Sequence, residues 1–313
     1  MRILTGLKPT GELHLGNYIG AIRPIIQMEG TKLCLIADYH AMTSNGKVSE
    51  QDVLNLAATL MALDYNKELI IYRQSDFPQL HELTWFISCN TSTGVLDRGH
   101  AVKAAQVGGN TITNGTLLYP LLMAADILAV KSDAVTVGKD QLQHMEIAKD
   151  VARSFNYRHE DLFVVPKAIV MEDKLVLGLD GKKMSKSYNN IIPLMASRKK
   201  LKKLVMSIET DSTPMEDPKD PDSCTVMSLY KYFASEEQVR AMEASYRNGG
   251  YGYGHAKLEL VSLIEDNLGP VRSRYNDLLK YPYKIKRRMF YDGKKVEGEI
   301  NYTVLSVRTA LIQ

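Results

Sequence analysis

Residues 134–155, AVTVGKDQLQHMEIAKDVARSF, join a short β-branched run to a longer segment of helical period. The first four residues are typical of a buried strand, and Gly138 follows them directly. From Asp140 to Phe155 apolar residues recur every three or four positions, which predicts an amphipathic helix. A strand that turns through a glycine into a helix is the repeating unit of a parallel α/β sheet.

The first half of the chain contains three more strand-like runs. They lie at residues 3–5, 33–37 and 69–72. A helix is predicted over residues 52–63, where Ser49 and Asp52 have the spacing of a capping box. We therefore expect an α/β fold with a Rossmann-like, doubly wound parallel sheet. Ligands of such sheets bind beyond the carboxyl ends of the strands, so chemistry is expected after Thr5, Ala37, Tyr72 and Val137.

The second half of the chain loses this alternation. Helical periodicity dominates, with helices predicted over residues 236–247 and 256–267, and the proline- and aspartate-rich segment 211–224 is predicted to be a loop. This pattern predicts a Rossmann-like catalytic domain over residues 1–187 and an all-helical domain over residues 188–313.

Composition excludes several classes of protein. The 313 residues are 45% hydrophobic and 24% charged, as in a folded, water-soluble protein. The longest nearly apolar stretch, 117–130, contains Pro120 and Asp126 and is shorter than the ~20 residues of a membrane span. The N-terminus turns polar too early for a secretory signal, and three scattered cysteines fit no metal or disulfide framework. We expect a cytoplasmic protein without a membrane partner or a structural metal.

The formal net charge is only +3, but basic residues cluster in the second half. The clusters lie at residues 182–186, 198–203 and 284–288. Solvated helix faces and a surface for an anionic partner both fit such runs.

Three segments have the residue types of a nucleotide site. In the glycine-punctuated loop 6–18, His14 and Asn17 can both donate to one phosphate at a helix start, although a tight turn with a satisfied histidine also fits. After the fourth strand, Asp140 is suited either to capping a helix or to holding ribose hydroxyls. In Gly181-Lys182-Lys183-Met184-Ser185-Lys186-Ser187, two lysines three residues apart form a cationic clamp for polyphosphate, with roughly 1.5–3 kcal/mol per charged hydrogen bond.

The motifs HLGN (14–17) and KMSKS (183–187) resemble the paired signatures of class I aminoacyl-tRNA synthetases. Within that class, several segments are similar to the tryptophanyl-tRNA synthetases, from Thr5 to about Lys257. They are YPLLMAADIL (119–128), VGKDQLQH (137–144), RSFN (153–156), GNYIGA (16–21) and DYHA (38–41).

The resemblance implies roles for residues at matching positions. Lys183, Lys186 and Ser187 are expected to be catalytic, and Asp126 is expected to accept a hydrogen bond from the indole N–H of tryptophan. The other implied tryptophan contacts are Gln141, Tyr119, Met123, His40, Val135 and Val137. The implied ATP contacts are Lys8, Pro9, Thr10, His14, Gly16, Asn17, Gly138, Lys139, Asp140, Lys183, Met184, Ser185, Lys186 and Ser187.

The resemblance also implies the reaction and its partners. ATP is the expected substrate, accompanied by Mg²⁺, and activates L-tryptophan for transfer to tRNA(Trp). A homodimer is implied, and the helical half is expected to read the anticodon region. An aromatic and cationic group there could stack on unpaired bases: Tyr281, Tyr283, Arg287, Arg288 and Tyr291.

The sequence departs from the family pattern at three positions. Lys8 replaces a frequent glutamine, Lys139 a frequent glutamate, and Ala105 a frequent phosphate-binding lysine, for which Lys103 could substitute. Three other functions stay open from the sequence: a tyrosyl-tRNA synthetase, a non-catalytic sensor paralogue and a simpler adenylyltransferase.

Overall fold

Five strands form a parallel sheet in the computed structural model, which describes residues 1–97, 113–171 and 175–312 of the chain. The strands are β1 (Arg2–Leu7), β2 (Thr31–Ile36), β3 (Leu69–Arg73), β4 (Ala134–Val137) and β5 (Lys167–Val170). Their order in the sheet is β3-β2-β1-β4-β5. This order reverses between β1 and β4, where a doubly wound sheet binds its ligands.

The centre of the sheet is apolar, as the strand-like runs predicted. Leu4 of β1 lies beside Leu33 of β2 and Val135 of β4, and all three are buried. The edge strand β5 was not predicted: β4 is equally short but buried throughout, whereas none of the four residues of β5 is fully buried. An edge strand of this kind lacks the continuous apolar run by which a short buried strand is recognised.

The described helices are numbered in chain order, and in the first half of the chain they alternate with the strands. In the first half they are α1 (Leu15–Asn17), α2 (Arg23–Gln27), α3 (Asp38–Asn45), α4 (Glu50–Leu63), α5 (Gln79–Asn90), α6 (Thr93–Asp97), α7 (Asn114–Ala129) and α8 (Leu142–Arg158). In the second half they are α9 (Arg198–Met206), α10 (Thr225–Tyr230), α11 (Glu236–Asn248), α12 (Tyr253–Lys280) and α13 (Pro282–Leu311). A π-helical turn, Tyr18–Ile22, joins α1 to α2.

One helix begins later than the sequence predicted. The helical pattern starts at Asp140, but Lys139–Gln141 form a 3₁₀ turn and α8 begins at Leu142. A tight 3₁₀ turn is a common way to enter a helix, and apolar periodicity does not distinguish it from the helix itself. The predicted loop 211–224 contains only turns, bends and irregular backbone.

The chain divides into two compact units, which cut across the predicted boundary at residue 187. Unit 1 comprises Met1–Gly11, Ile25–Glu172 and Tyr281–Gln313, and unit 2 comprises Glu12–Pro24 and Asp173–Lys280. The C-terminal helix α13 therefore belongs with the sheet, although it follows the helical half in sequence.

Packing explains why α13 belongs to unit 1. Val296, Ile300 and Val304 are buried in the same hydrophobic cluster as Leu4 and Val135. This apolar stripe repeats every three or four residues, and the sequence pattern alone does not reveal which surface such a stripe covers.

Unit 2 is built mainly from helices, and its apolar core lies along α12. Leu260 and Ile264 of α12 are buried, as are Leu201 and Val205 of α9.

The α/β fold with a Rossmann-like sheet and a helical second part is confirmed. No described helix is both long enough and apolar enough to span a membrane.

Candidate active site

A cavity of about 220 Å³ opens in unit 1 where the sheet order reverses. Residues at or just beyond the carboxyl ends of β1 and β4 form one side of it, and α7 supplies another. The polar residues of its lining are Lys8, His40, Tyr119, Asp126, Thr136 and Gln141, and the apolar wall includes Met123, Ile127, Val135 and Val137. The predicted tryptophan contacts thus line one cavity.

Asp126 is a buried carboxylate in the wall of this cavity. The amide nitrogen of Gln74 donates to both of its oxygens, at 2.9 Å to Oδ1 and 2.7 Å to Oδ2. His40 Nε2 lies 2.9 Å from Oδ2, and because a carboxylate only accepts, this nitrogen carries the proton. These donors stabilise a charge that is costly to bury without partners.

A second hydrogen-bonded chain links Tyr119, His144, Gln141 and Asp140. The Tyr119 hydroxyl lies 2.9 Å from His144 Nε2, and His144 Nδ1 lies 3.0 Å from Gln141 Oε1. The amide nitrogen of Gln141 donates to Asp140 Oδ2 at 2.6 Å. Because Gln141 Oε1 can only accept, His144 carries a proton on Nδ1, and in a neutral ring Nε2 accepts from Tyr119.

This chain sets the polarity of the groups that face the cavity. With its proton donated to His144, the Tyr119 oxygen presents lone pairs, and Gln141 Oε1 has a second acceptor position. Burial, and next the charge of Asp140, raise the pKa of Tyr119, so its hydroxyl stays protonated near neutral pH. Two acceptors on one side of a cavity suit a ligand that carries an ammonium group.

The loop that carries His14 lies in unit 2, where it begins the helical turn of α1. The backbone N–H of His14 donates to Asn17 Oδ1 at 3.1 Å. The His14 ring lies directly over Gly16, since a Cβ on Gly16 would be only 3.0 Å from two ring atoms. A side chain at residue 16 would therefore require the ring to shift by a few tenths of an ångström.

His14 is buried, and its Nδ1 has no hydrogen-bond partner among the described residues. Burial, and next the positive charge of Lys186, lower the pKa of His14 from 6.5 to about 4. A buried nitrogen without a partner is uncommon, and such groups often serve a ligand. His14 is therefore neutral at pH 7 and lies near the predicted catalytic lysine.

The segment that contains Lys183 and Lys186 is an exposed loop of unit 2. Lys183 pairs with Leu177 in an isolated antiparallel bridge, and Ser185 caps the 3₁₀ turn Lys186–Tyr188 through its side chain. The side chains of Lys183, Lys186 and Ser187 are exposed, whereas Met184 is buried and its sulfur accepts from the Gly16 N–H at 3.3 Å. Met184 thus joins the lysine loop to the His14 loop.

The buried side chain of Asn190 holds the lysine loop in shape through hydrogen bonds. Its Oδ1 accepts from the Ser185 N–H at 2.8 Å, and its amide nitrogen donates to Asp180 Oδ1 and to the carbonyl of Lys183. The hydrogen bond from Asn190 is the main cause that lowers the pKa of Asp180. A side chain at Gly178 would collide with Asn190, since its Cβ would lie 2.4 Å from the amide.

The remaining predicted residues take less definite places. Pro9 is buried beside Lys8, and Thr10 is exposed. Gly138 lines the cavity in unit 1, while Lys139 and Asp140 are exposed in the 3₁₀ turn that follows it. Lys103 and Ala105 lie outside the described residues. Within the described ranges, no cluster of three or more histidine, cysteine or acidic side chains could hold a metal ion.

Gln74 and Asn190 were not predicted as site residues, and the role of His144 was left open. Gln74 directly follows β3, a position at which the sheet rule predicts chemistry. Nothing in the sequence, however, places a glutamine after β3 against an aspartate in α7. Asn190 follows the KMSKS motif closely, but its three hydrogen bonds depend on a tertiary fold of the loop.

Comparisons with known proteins show which family this chain resembles. The family model of class I tRNA synthetases for tryptophan and tyrosine (W and Y) matches residues 1–269. The tryptophan–tRNA ligase of Rhodopirellula baltica is 44% identical over 311 residues, which cover 97% of each chain. That of Campylobacter jejuni strain RM1221 is 41% identical over 301 residues, or 94% of each chain.

The structural comparison gives the same result. A crystal structure of tryptophanyl-tRNA synthetase from Campylobacter jejuni, complexed with ADP and tryptophan, superposes with a TM-score of 0.92. The two chains are 38% identical, and the match covers 99% of each.

Proposed function

The chain belongs to the class I tRNA synthetases for tryptophan and tyrosine, and within them to the tryptophan–tRNA ligases, and we propose that it activates L-tryptophan with ATP and transfers it to tRNA(Trp). The observation that carries this proposal is the buried Asp126 carboxylate in the wall of an apolar cavity. Its donors come from protein side chains, and it faces a space that can admit an aromatic ring.

Unit 1 binds the amino acid. The indole N–H donates to Asp126, and the ring packs against Met123, Val135 and Val137. A buried acceptor rejects an aromatic ring without this donor by roughly 10⁴–10⁵ in well-studied synthetases, because the acceptor is otherwise left without a partner. Tyr119 and Gln141 accept from the α-ammonium group, and His144 holds both in the orientation that this requires.

Each unit, considered by itself, carries residues suited to contacting ATP. Asp140 and the Gly138 backbone in unit 1 hold the ribose, and Lys8, Pro9, Thr10 and Lys139 border the nucleotide. In unit 2, the side chains of His14 and Asn17 contact phosphate, and the backbone at Gly16 borders it. Lys183 and Lys186 neutralise the phosphate charge, on a loop whose backbone at Met184, Ser185 and Ser187 approaches the nucleotide.

Activation requires no protein nucleophile. The tryptophan carboxylate attacks the α-phosphorus in line with the departing pyrophosphate, and charge develops on the phosphate oxygens. Lys183 and Lys186 stabilise this charge, which is the main contribution that proteins make to phosphoryl and nucleotidyl transfer. Mg²⁺ enters as the counter-ion of ATP. A hydroxyl of the terminal tRNA ribose then attacks the carbonyl of the adenylate and releases AMP.

The exposed face of α13 is a surface for tRNA. Tyr281, Tyr283 and Tyr291 are exposed, and Arg287 adds a positive charge beside them. Unpaired bases stack on such side chains. Arg288 is assigned a structural role instead, because its guanidinium donates to Asp292 and to the Leu69 carbonyl within unit 1.

We also infer a homodimer in the cytoplasm, where tRNA is charged for translation. Exposed apolar side chains support a dimer. Trp85 of α5 is 68% exposed, and Leu117 and Leu118 of α7 are also exposed. A second copy of the chain would cover such side chains.

Charging of tRNA tests the proposal as a whole. The purified chain, ATP, Mg²⁺ and unfractionated tRNA are incubated with labelled tryptophan or labelled tyrosine, and acid-precipitable label is counted. Tryptophan label should accumulate and be released by mild alkali, as expected for an ester. Charging with tyrosine, or with neither amino acid, would contradict the proposal.

A further inference from the structure

Gln74 is a fully buried glutamine that none of the steps above uses. It lies in the 3₁₀ turn Gln74–Asp76 directly after β3, and 0% of its surface is exposed. It is not among the residues that line the cavity. Burying an amide is costly unless its donors and its acceptor find partners, so those partners indicate what it does.

The backbone of α3 fixes which way the Gln74 amide points. The N–H of Tyr39 donates to Gln74 Oε1 at 3.1 Å, and the N–H of His40 donates to the same oxygen at 3.4 Å. A backbone N–H can only donate, so the oxygen must face α3 and the NH₂ group must face Asp126. The orientation of this side chain is therefore set by the fold and not by the ligand.

The hydrogen bonds to Asp126 leave little acceptor capacity. An ionised carboxylate has about four lone-pair positions. Gln74 Nε2 contacts both oxygens, and His40 Nε2 contacts one of them, so these three contacts leave about one position. Asp126 itself lines the cavity, where the remaining position can meet a ligand.

We propose that Gln74 is a positioning residue that holds the Asp126 carboxylate so that one acceptor faces the cavity, and that it thereby sets selectivity for an aromatic ring that carries an N–H. This inference rests on the proposed function, since it concerns the same amino-acid site. Gln74 acts from behind Asp126 and does not touch the substrate.

Loss of Gln74 frees the Asp126 carboxylate to rotate, because two of its three contacts are gone. A rotated carboxylate no longer directs its remaining acceptor position into the cavity. This weakens binding of an N–H donor more than binding of a ring without one.

The experiment compares tryptophan with β-(benzothiophen-3-yl)alanine, in which sulfur replaces the indole N–H. Tryptophan-dependent ATP–pyrophosphate exchange gives KM and kcat, and inhibition of that exchange gives Ki for the analogue. The first variant is Gln74→Met, which keeps the length but makes no such hydrogen bonds. The second is Gln74→Glu, which still accepts from Tyr39 and His40 but opposes Asp126 with a second carboxylate.

In both variants, KM for tryptophan should rise at least about tenfold, the effect of losing one or two buried hydrogen bonds. The Ki of the analogue should change less than about threefold, and kcat at saturating tryptophan should stay within about threefold of the wild type. The selectivity ratio Ki/KM therefore falls. Gln79→Met is the matched control, since Gln79 is the first residue of α5, donates to Asn301 at 2.9 Å and is outside the cavity.

Three outcomes would overturn the inference. If binding of tryptophan and binding of the analogue weaken equally, Gln74 has a general structural role. The same conclusion follows if neither variant folds, which would be seen as the absence of an ATP-induced rise in Tm. An unchanged KM would show that Asp126 needs no such support. If the wild-type chain itself gives no tryptophan-dependent exchange, the proposed function fails instead, whereas normal exchange with unchanged selectivity in the variants refutes only the role of Gln74.

Discussion

Single residues in this chain acquire their proposed roles from the partners that the fold supplies. Asp126 is an aspartate in an otherwise apolar helix, and His40 and Gln74 make that position tenable by donating to it. His14 is the opposite case, a buried base whose Nδ1 has no partner in the described structure and which lies near a lysine. Both residues were singled out from sequence, and their surroundings support two different proposed roles, an acceptor for a ring N–H and a neutral contact to phosphate.

Replacing Asp126 by asparagine tests the first assignment. Asp126→Asn keeps the size of the side chain but replaces one carboxylate oxygen by an NH₂ group. The Gln74 NH₂ and the protonated His40 Nε2 donate to this side chain, so one of these donors, or the indole N–H, loses its acceptor. We expect kcat/KM for tryptophan to fall by at least about a hundredfold, since charged buried hydrogen bonds contribute about 1.5–3 kcal/mol each. Pyrophosphate exchange measures this, with Asp52→Asn on α4 as the control. A variant with wild-type kcat/KM would contradict the assignment.

The lowered pKa of His14 predicts a pH dependence of stability. The pKa is about 4 in the folded chain, against an ordinary value of 6.5, so the unfolded chain binds more protons between these pH values. Stability must therefore fall as the pH decreases from about 6.5 to about 4, while above 6.5 the residue contributes no pH dependence.

Urea unfolding of the wild type and of His14→Gln across this pH range provides the measurement. The wild type should lose more stability than the variant between pH 6.5 and 4, and the two curves should run parallel above pH 7. Parallel curves over the whole range would show that His14 is not held neutral by the fold.

Among the elements, helix α13 shows what sequence patterns do and do not reveal. The sequence predicts a helical second half without giving bounds for this helix, and the structure shows it over Pro282–Leu311 with a buried apolar stripe. Which surface the stripe covers depends on Asp292, which accepts from the Ile71 N–H of β3 at 3.1 Å and forms ion pairs with Arg288 and Lys295. Residues so far apart in the chain have no local signal in common.

Removing Asp292 should destabilise the protein through this contact. Asp292→Ala leaves Arg288 without its main partner and the Ile71 N–H unsatisfied, which we expect to lower the free energy of unfolding by about 3 kcal/mol. Chemical denaturation measures the change. Glu297→Ala on the same helix, which breaks a surface pair with Lys294, should cost less than about 0.5 kcal/mol. Similar losses in both variants would argue against a specific role for Asp292.

Elements with a strong local signal were predicted well. β1 to β4, α4 and α11 were identified to within two residues or so at each end, because their apolar periodicity is local, as is the Ser49 cap just ahead of α4. The edge strand β5 and the 3₁₀ entry to α8 were not, since neither has an apolar pattern that separates it from the residues around it. The residues that line the cavity were predicted from motifs in the sequence. Gln74 and Asn190 were recognised only from their hydrogen bonds in the structure.

At the scale of the whole molecule, the predicted site residues are divided between two compact units whose segments alternate along the chain. The His14 segment belongs with residues 173–280, and α13 belongs with the sheet, so a cut at residue 187 would not separate the units. Composition and charge predicted none of this, because both are averages over the chain. The cavity proposed to bind tryptophan is lined by residues of unit 1 alone, so we expect amino-acid specificity to depend on that unit.

The most direct test of the central claim is ATP–pyrophosphate exchange by the intact chain, measured separately with each of the twenty amino acids. Tryptophan should support exchange with a kcat/KM at least about 10⁴-fold above that of tyrosine or phenylalanine, since neither has a donor in the position of the indole N–H. Exchange that is fastest with another amino acid, or that is absent with all twenty, would contradict the account.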